Sequence, residues 1–168
     1  MHILLCGMMG CGKTTVGKRL AQRLQKPWVD TDDVIVQQYG EIKDIFARFG
    51  ETRFREIETQ TLQALLKESG LVLSAGGGLV MQENNRALLQ GKAKIVFLRA
   101  TEQTLENRLV LDTTRPLLQG GMPLKEKICA LLKERTPIYQ SVANFTVDVD
   151  DKRVETIVEE IVSWLEKQ

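Results

Sequence analysis

The sequence predicts an α/β domain of three layers: a five-stranded parallel sheet flanked by helices. Two observations carry this. Short apolar runs alternate with helical patterns along the chain, as in parallel strands joined by crossover helices. Glycine-rich or acidic turns follow three of those runs, at 7–14, 30–32 and 76–78, where open parallel sheets bind their ligands.

The elements follow in order. Residues 3–6 form an apolar run that ends in glycine, a buried strand. Residues 14–24 have helical spacing through Val16, Leu20 and Leu24. A brief strand is expected at 28–29. Residues 32–39 and 42–49 read as two short helices parted by Gly40, and 54–68 as a longer one. An apolar strand at 71–75 stops at three glycines. Residues 94–98 give a fourth strand and 102–109 a further helix. Residues 110–123, with two prolines and two glycines, read as a mobile loop. Residues 124–142 are helical, with Pro137 expected to kink or interrupt them. The fifth strand is expected at 145–149. The last helix carries a single apolar face through Val154, Ile157, Val158, Ile161, Val162 and Leu165.

Bulk properties narrow the function. The 168 residues suit one domain spanning 1–168, and 43% hydrophobic with 27% charged residues is a globular composition. A formal net charge of +1 offers no field for nucleic acid or a membrane surface. No apolar run approaches the ~18 residues of a membrane span. Three cysteines without metal spacing, and no secretory signal, point to a reducing cytoplasm. The one histidine, His2, stands beside the initiator, which all but removes a histidine general base.

Gly7-Met8-Met9-Gly10-Cys11-Gly12-Lys13-Thr14 matches the phosphate-binding P-loop pattern. Glycines let successive main-chain N–H groups turn inward onto phosphate oxygens. Lys13 supplies a cation for the β- and γ-phosphates, and Thr14 a hydroxyl for Mg²⁺. The helix that follows aims its positive end at the same anion. Cys11 is read as a small residue at a variable position rather than a redox group. The N-K-x-D guanine reader of regulatory GTPases is absent, and the chain is short for a motor or transporter. Small-molecule and nucleotide kinases remain.

Six ordered blocks then resemble one family along nearly the whole chain. They are GMMGCGKTTVGKRLA at 7–21, VDTDDVI at 29–35, the I-F…G-E…F-R-E-I-E run at 45–58, SAGGGLV at 74–80, RPLL at 115–118 and ERTPIYQSVA at 134–143. With these the sequence resembles the shikimate kinases, P-loop kinases that phosphorylate shikimate with ATP and Mg²⁺. The resemblance implies an acceptor-binding segment at about 32–60 and a lid at about 110–123. It implies that Arg55 and Arg135 hold the substrate carboxylate, for which the planar guanidinium fork is suited. Glu58 matches a glutamate that orients them. Asp32 is matched to the substrate hydroxyls, as a base or an orienting group. Gly76, Gly77 and Gly78 line the acceptor pocket, and Phe46 and Phe54 either wall the ring or simply pack.

On the nucleotide side the same resemblance implies Gly10, Cys11, Gly12, Lys13, Thr14 and Thr15 around ATP. Arg108 lies by the adenine, Arg115 reaches the phosphates from the lid, and Lys152 stands where relatives often carry arginine. Asp30 is matched to Mg²⁺, through water, with helix capping as its ordinary alternative. Lys13, Asp32 and Arg115 form the expected catalytic set. The expected partners are shikimate and ATP, with no nucleic acid and no membrane, in a monomer. Two other readings compete: a related kinase acting on gluconate or a nucleoside monophosphate, and a nucleotide-binding regulatory domain without turnover.

Overall fold

The computed structural model describes residues 1–112 and 118–168. The strands are β1 (His2–Cys6), β2 (Trp28–Asp30), β3 (Val72–Ser74), β4 (Ala93–Arg99) and β5 (Phe145–Asp148). They form one sheet in the order β2-β3-β1-β4-β5, and each neighbouring pair is parallel. β1 is central and wholly buried, so a continuous apolar run is what that position demands.

The helices are α1 (Lys13–Leu24), α2 (Thr31–Tyr39), α3 (Ile42–Leu65), α4 (Glu83–Leu89), α5 (Glu102–Leu109), α6 (Leu124–Val142) and α7 (Val154–Leu165). α1 packs on β3 and α7, and α6 on β4 and α5. The apolar face expected of the last helix is buried at Ile157, Val158, Ile161 and Val162. Among the described residues no helix is long and apolar enough to cross a membrane.

Several boundaries differ from the sequence reading. The two helices expected at 42–49 and 54–68 are the two limbs of α3, which bends at Gly50 (φ 79°, ψ 174°). Residues 79–89, unassigned from sequence, hold a 3-10 turn at Leu79–Met81 and then α4. Pro137 does not interrupt its helix, which runs unbroken through it. The proline ring costs one main-chain bond to the preceding turn; Arg135 and Tyr139, buried on either side of it, hold the helix down. Of the expected lid, residues 113–117 lie outside the described residues.

The described residues form two apolar cores. The larger unites the sheet with α1, the end of α3 at Leu62 and Leu65, and α4–α7, and takes in Met8, Met9, Cys11 and Val16 of the P-loop region. The smaller holds only Ile35, Ile45, Phe54 and Ile57, with Ile42 and Phe46 against them, and belongs to α2 and α3. Phe46 and Phe54 meet there at a centroid distance of 4.8 Å, so both serve packing.

Candidate active site

The P-loop joins β1 to α1 at the carboxyl end of the sheet. Gly12 caps α1 at φ 99°, ψ 18°, a left-handed conformation that glycine adopts without strain. The Lys13 ammonium curls back onto the loop and donates to the carbonyls of Gly7 and Met8, both at 2.8 Å. A brace lies behind the loop: Trp28 Nε1 donates to Ser74 Oγ at 3.0 Å, and Ser74 Oγ to the Lys13 carbonyl at 2.9 Å. Strands β2 and β3 are thereby tied to the start of α1.

A cavity of about 360 Å³ opens over the loop. Gly10, Cys11, Gly12, Lys13, Thr14 and Thr15 line one end, with Arg108, Val149, Lys152, Val154 and Ile157 beyond them and Asp30, Asp32, Gly76 and Gly77 at the other side. Arg108 donates to the Gly10 carbonyl at 3.0 Å. The Lys152 ammonium is held by Glu160 at 2.7 and 2.9 Å, so its charge is partly spent within the chain.

Asp30, expected either to cap a helix or to meet a metal, caps α2 and also faces the Thr14 hydroxyl. One carboxylate oxygen accepts from the Asp32 N–H at 3.0 Å and caps α2; the other accepts from Thr14 Oγ1 at 2.9 Å. A hydroxyl and a carboxylate at that separation suit Mg²⁺, which takes one or two protein ligands and keeps water and phosphate oxygens for the rest. Among the described residues no cluster of three metal-binding side chains occurs.

On the acceptor side, side chains from α2, α3 and α6 converge on the Gly76–Gly78 turn. A β-carbon on Gly76 would lie 2.5 Å from Asp32 Oδ1 and 3.1 Å from Glu58 Oε1. One on Gly77 would lie 3.3 Å from Arg135 Nη1, and one on Gly78 would strike the Arg55 guanidinium. Any other residue in this turn would fill the space those groups occupy. The Gly76 N–H is fixed by Thr31 Oγ1 at 2.9 Å.

The charges are arranged unequally. Arg55 donates to Glu58 at 2.5 Å and to Glu51 at 3.0 Å. Burial works against its charge, but these two carboxylates outweigh it and hold its pKa above the ordinary value. Glu58 is 1% exposed. Burial pushes its pKa up to about 6, against the pull of Arg55. Arg135 is 3% exposed, and among the described residues its Nε and Nη1 have no hydrogen-bond partner. A buried guanidinium with unpartnered donors costs free energy unless an acceptor arrives.

Of the residues singled out from sequence, Arg115 alone falls outside the described residues. The others stand in the two groups just described. Sequence reasoning missed Tyr139, fully buried, whose hydroxyl donates to the Gly77 carbonyl at 2.5 Å. It also missed the Trp28–Ser74 brace. A buried tyrosine in a helical pattern gives no sign of its polar partner; only the T-P-I-Y block beside Arg135 hinted at more than packing.

Comparisons with known proteins agree on one family. The family model for shikimate kinase matches residues 9–166. A shikimate kinase of Thermodesulfovibrio yellowstonii is 40% identical over 167 residues, covering 99% of this chain and 95% of its own. Another, from Sulfurihydrogenibium, is 41% identical over 168 residues and covers 99% of both chains. The structure of the shikimate kinase from Acinetobacter baumannii in complex with shikimate superposes with a TM-score of 0.94 at 35% identity, over 99% of this chain and 93% of that one.

Proposed function

The chain belongs to the shikimate kinase family, and from that premise we propose how its own residues carry the reaction. It transfers the γ-phosphoryl group of ATP to a hydroxyl of shikimate, giving ADP and 3-phosphoshikimate. The observation that carries the acceptor assignment is Arg135: a buried guanidinium with two unpartnered nitrogens, against the Gly77 turn. A substrate carboxylate is the acceptor that would satisfy it. Arg55, already held by two glutamates, presents the second fork. Asp32, at the carboxyl end of the sheet between both groups, receives or orients the reacting hydroxyl.

On the donor side the P-loop amides and Lys13 bind the β- and γ-phosphates. Lys13 exchanges some of its present carbonyl contacts for phosphate oxygens. Thr14 and Asp30 would hold Mg²⁺, which when bound neutralises charge on the transferring group. Arg108 and Lys152 flank the base. Arg115, carried by the expected lid at about 110–123, completes the charge stabilisation from above. Positioning supplies most of the acceleration, an effect of up to ~7–11 kcal/mol. The setting we propose is a cytoplasmic monomer.

ADP release coupled to a reporter enzyme tests this reading, with shikimate, gluconate and nucleoside monophosphates as separate acceptors. Turnover is expected with shikimate and is abolished by EDTA. Release with gluconate and none with shikimate would overturn the assignment. Light scattering on eluted protein reports the oligomeric state.

A further inference from the structure

We propose that Tyr139 is a positioning residue for the acceptor: its hydroxyl grips the Gly77 carbonyl and so fixes the turn and the Arg135 guanidinium where the acceptor pocket meets the P-loop. The inference rests on the acceptor reading of Arg135 and goes beyond it.

Four observations converge. Tyr139 is wholly buried, and its ring stacks on Phe97 of β4 with centroids 5.0 Å apart and planes at 26°. Its backbone and its ring are therefore fixed independently of any ligand. Its hydroxyl donates to Gly77 across 62 residues of sequence. It lies four residues after Arg135 on α6, so both side chains share one helix face. Gly77 itself faces both halves of the site: a β-carbon there would lie 3.3 Å from Arg135 Nη1, 3.6 Å from the Met9 N and 3.7 Å from the Gly7 carbonyl.

Peptide geometry carries the effect onward. No peptide bond in the described chain is cis, so the Gly77 carbonyl and the Gly78 N–H point in opposite directions within one plane. Holding the first orients the second, beside Arg55. Three consecutive glycines would otherwise leave this turn loosely defined. Burial, against the pull of the Arg135 guanidinium, pushes the phenol's ionisation up, so the hydroxyl remains a donor at working pH.

A tyrosine that merely satisfies its own hydroxyl would look similar in the core, and kinetics separates the two roles. Tyr139→Phe keeps the ring and removes the donor. The KM for shikimate should rise about 5- to 20-fold, the value of one lost buried hydrogen bond, while the KM for ATP stays within about twofold. Equal or absent changes in both would overturn the proposal. If Arg135→Lys leaves the shikimate KM unaltered, the acceptor reading itself fails; if it raises KM and Tyr139→Phe does not, only the role of Tyr139 fails. Should the variant not fold, the unaltered chain enriched with tyrosine labelled at Cζ serves instead. The chain has two tyrosines, and exposed Tyr39 is the reference signal. Saturating shikimate should shift the Tyr139 signal, and an unmoved signal would overturn the proposal.

Discussion

The donor and acceptor halves of the site are made from different materials. The proposed donor half is main chain: eight consecutive residues whose amides would donate to phosphate oxygens, seated on the larger core through Met8, Met9, Cys11 and Val16. The acceptor half is side chain: Asp32 from α2, Arg55 and Glu58 from α3, and Arg135 and Tyr139 from α6, meeting at three glycines. Its α2–α3 part rests on a separate, smaller apolar cluster. A main-chain receptor tolerates substitution at its variable positions, since the amides stay in place. A side-chain receptor depends on each group it recruits, and on whatever holds that group still.

Four substitutions put that contrast under strain. The largest effect belongs to Lys13, the side chain proposed to meet the β- and γ-phosphates. Lys13→Ala should lower kcat by about 10²–10³-fold. Its melting temperature should move by no more than about 5 °C, because the ammonium bonds within its own loop, to the Gly7 and Met8 carbonyls and to Cys11 Sγ. Near-normal turnover would mean that the amides alone suffice. Next comes Arg135→Lys, expected to raise the shikimate KM by about 10- to 100-fold with little change for ATP, because lysine lacks the fork. Matched losses for both substrates would show the halves to be one unit.

Gly78→Ala is milder. Its backbone at φ −95°, ψ −5° accepts alanine, so the methyl group displaces Arg55 rather than straining the turn. A rise of about 3- to 10-fold in shikimate KM is expected; an unchanged value would show that Arg55 gives way freely. The smallest effect is electrostatic. Glu58 has its pKa raised from 4.5 to about 6 in the folded chain. Between those values the folded state binds more protons than the unfolded state, so this group's contribution to stability falls as pH rises through the window. In urea unfolding from pH 4.5 to 7, the natural chain should lose about 2 kcal/mol relative to Glu58→Gln. Parallel curves would refute the raised ionisation.

The same contrast explains what could be read from the sequence. The P-loop was legible because its chemistry is written in adjacent letters with a fixed pattern. The parallel strands were legible from their apolar runs, though nothing local orders them as β2-β3-β1-β4-β5. Arg55, Asp32 and Arg135 were reachable only through the family resemblance, since their convergence needs the folded chain. α4 was hidden because a fully buried asparagine stands where an apolar residue would mark the helix. Asn85 is satisfied there by the Leu79 carbonyl at 2.8 Å and by Thr59 at 2.8 Å, partners that tertiary structure alone provides. Pro137 does not end its helix, because packing on both sides of it outweighs one lost main-chain bond.

The small cluster of Ile35, Ile45, Phe54 and Ile57 gives α2 and the first part of α3 an apolar seat of their own, while Leu62 and Leu65 anchor the far end of α3 in the larger core. This cap meets the phosphate cradle through Asp30, which caps α2 and accepts from Thr14 Oγ1, so its inner wall can be redrawn for a hydroxy acid of different outline as long as that join is kept. New specificity in this scaffold is therefore a question of upholstery over four apolar studs, with the chemistry left as it stands.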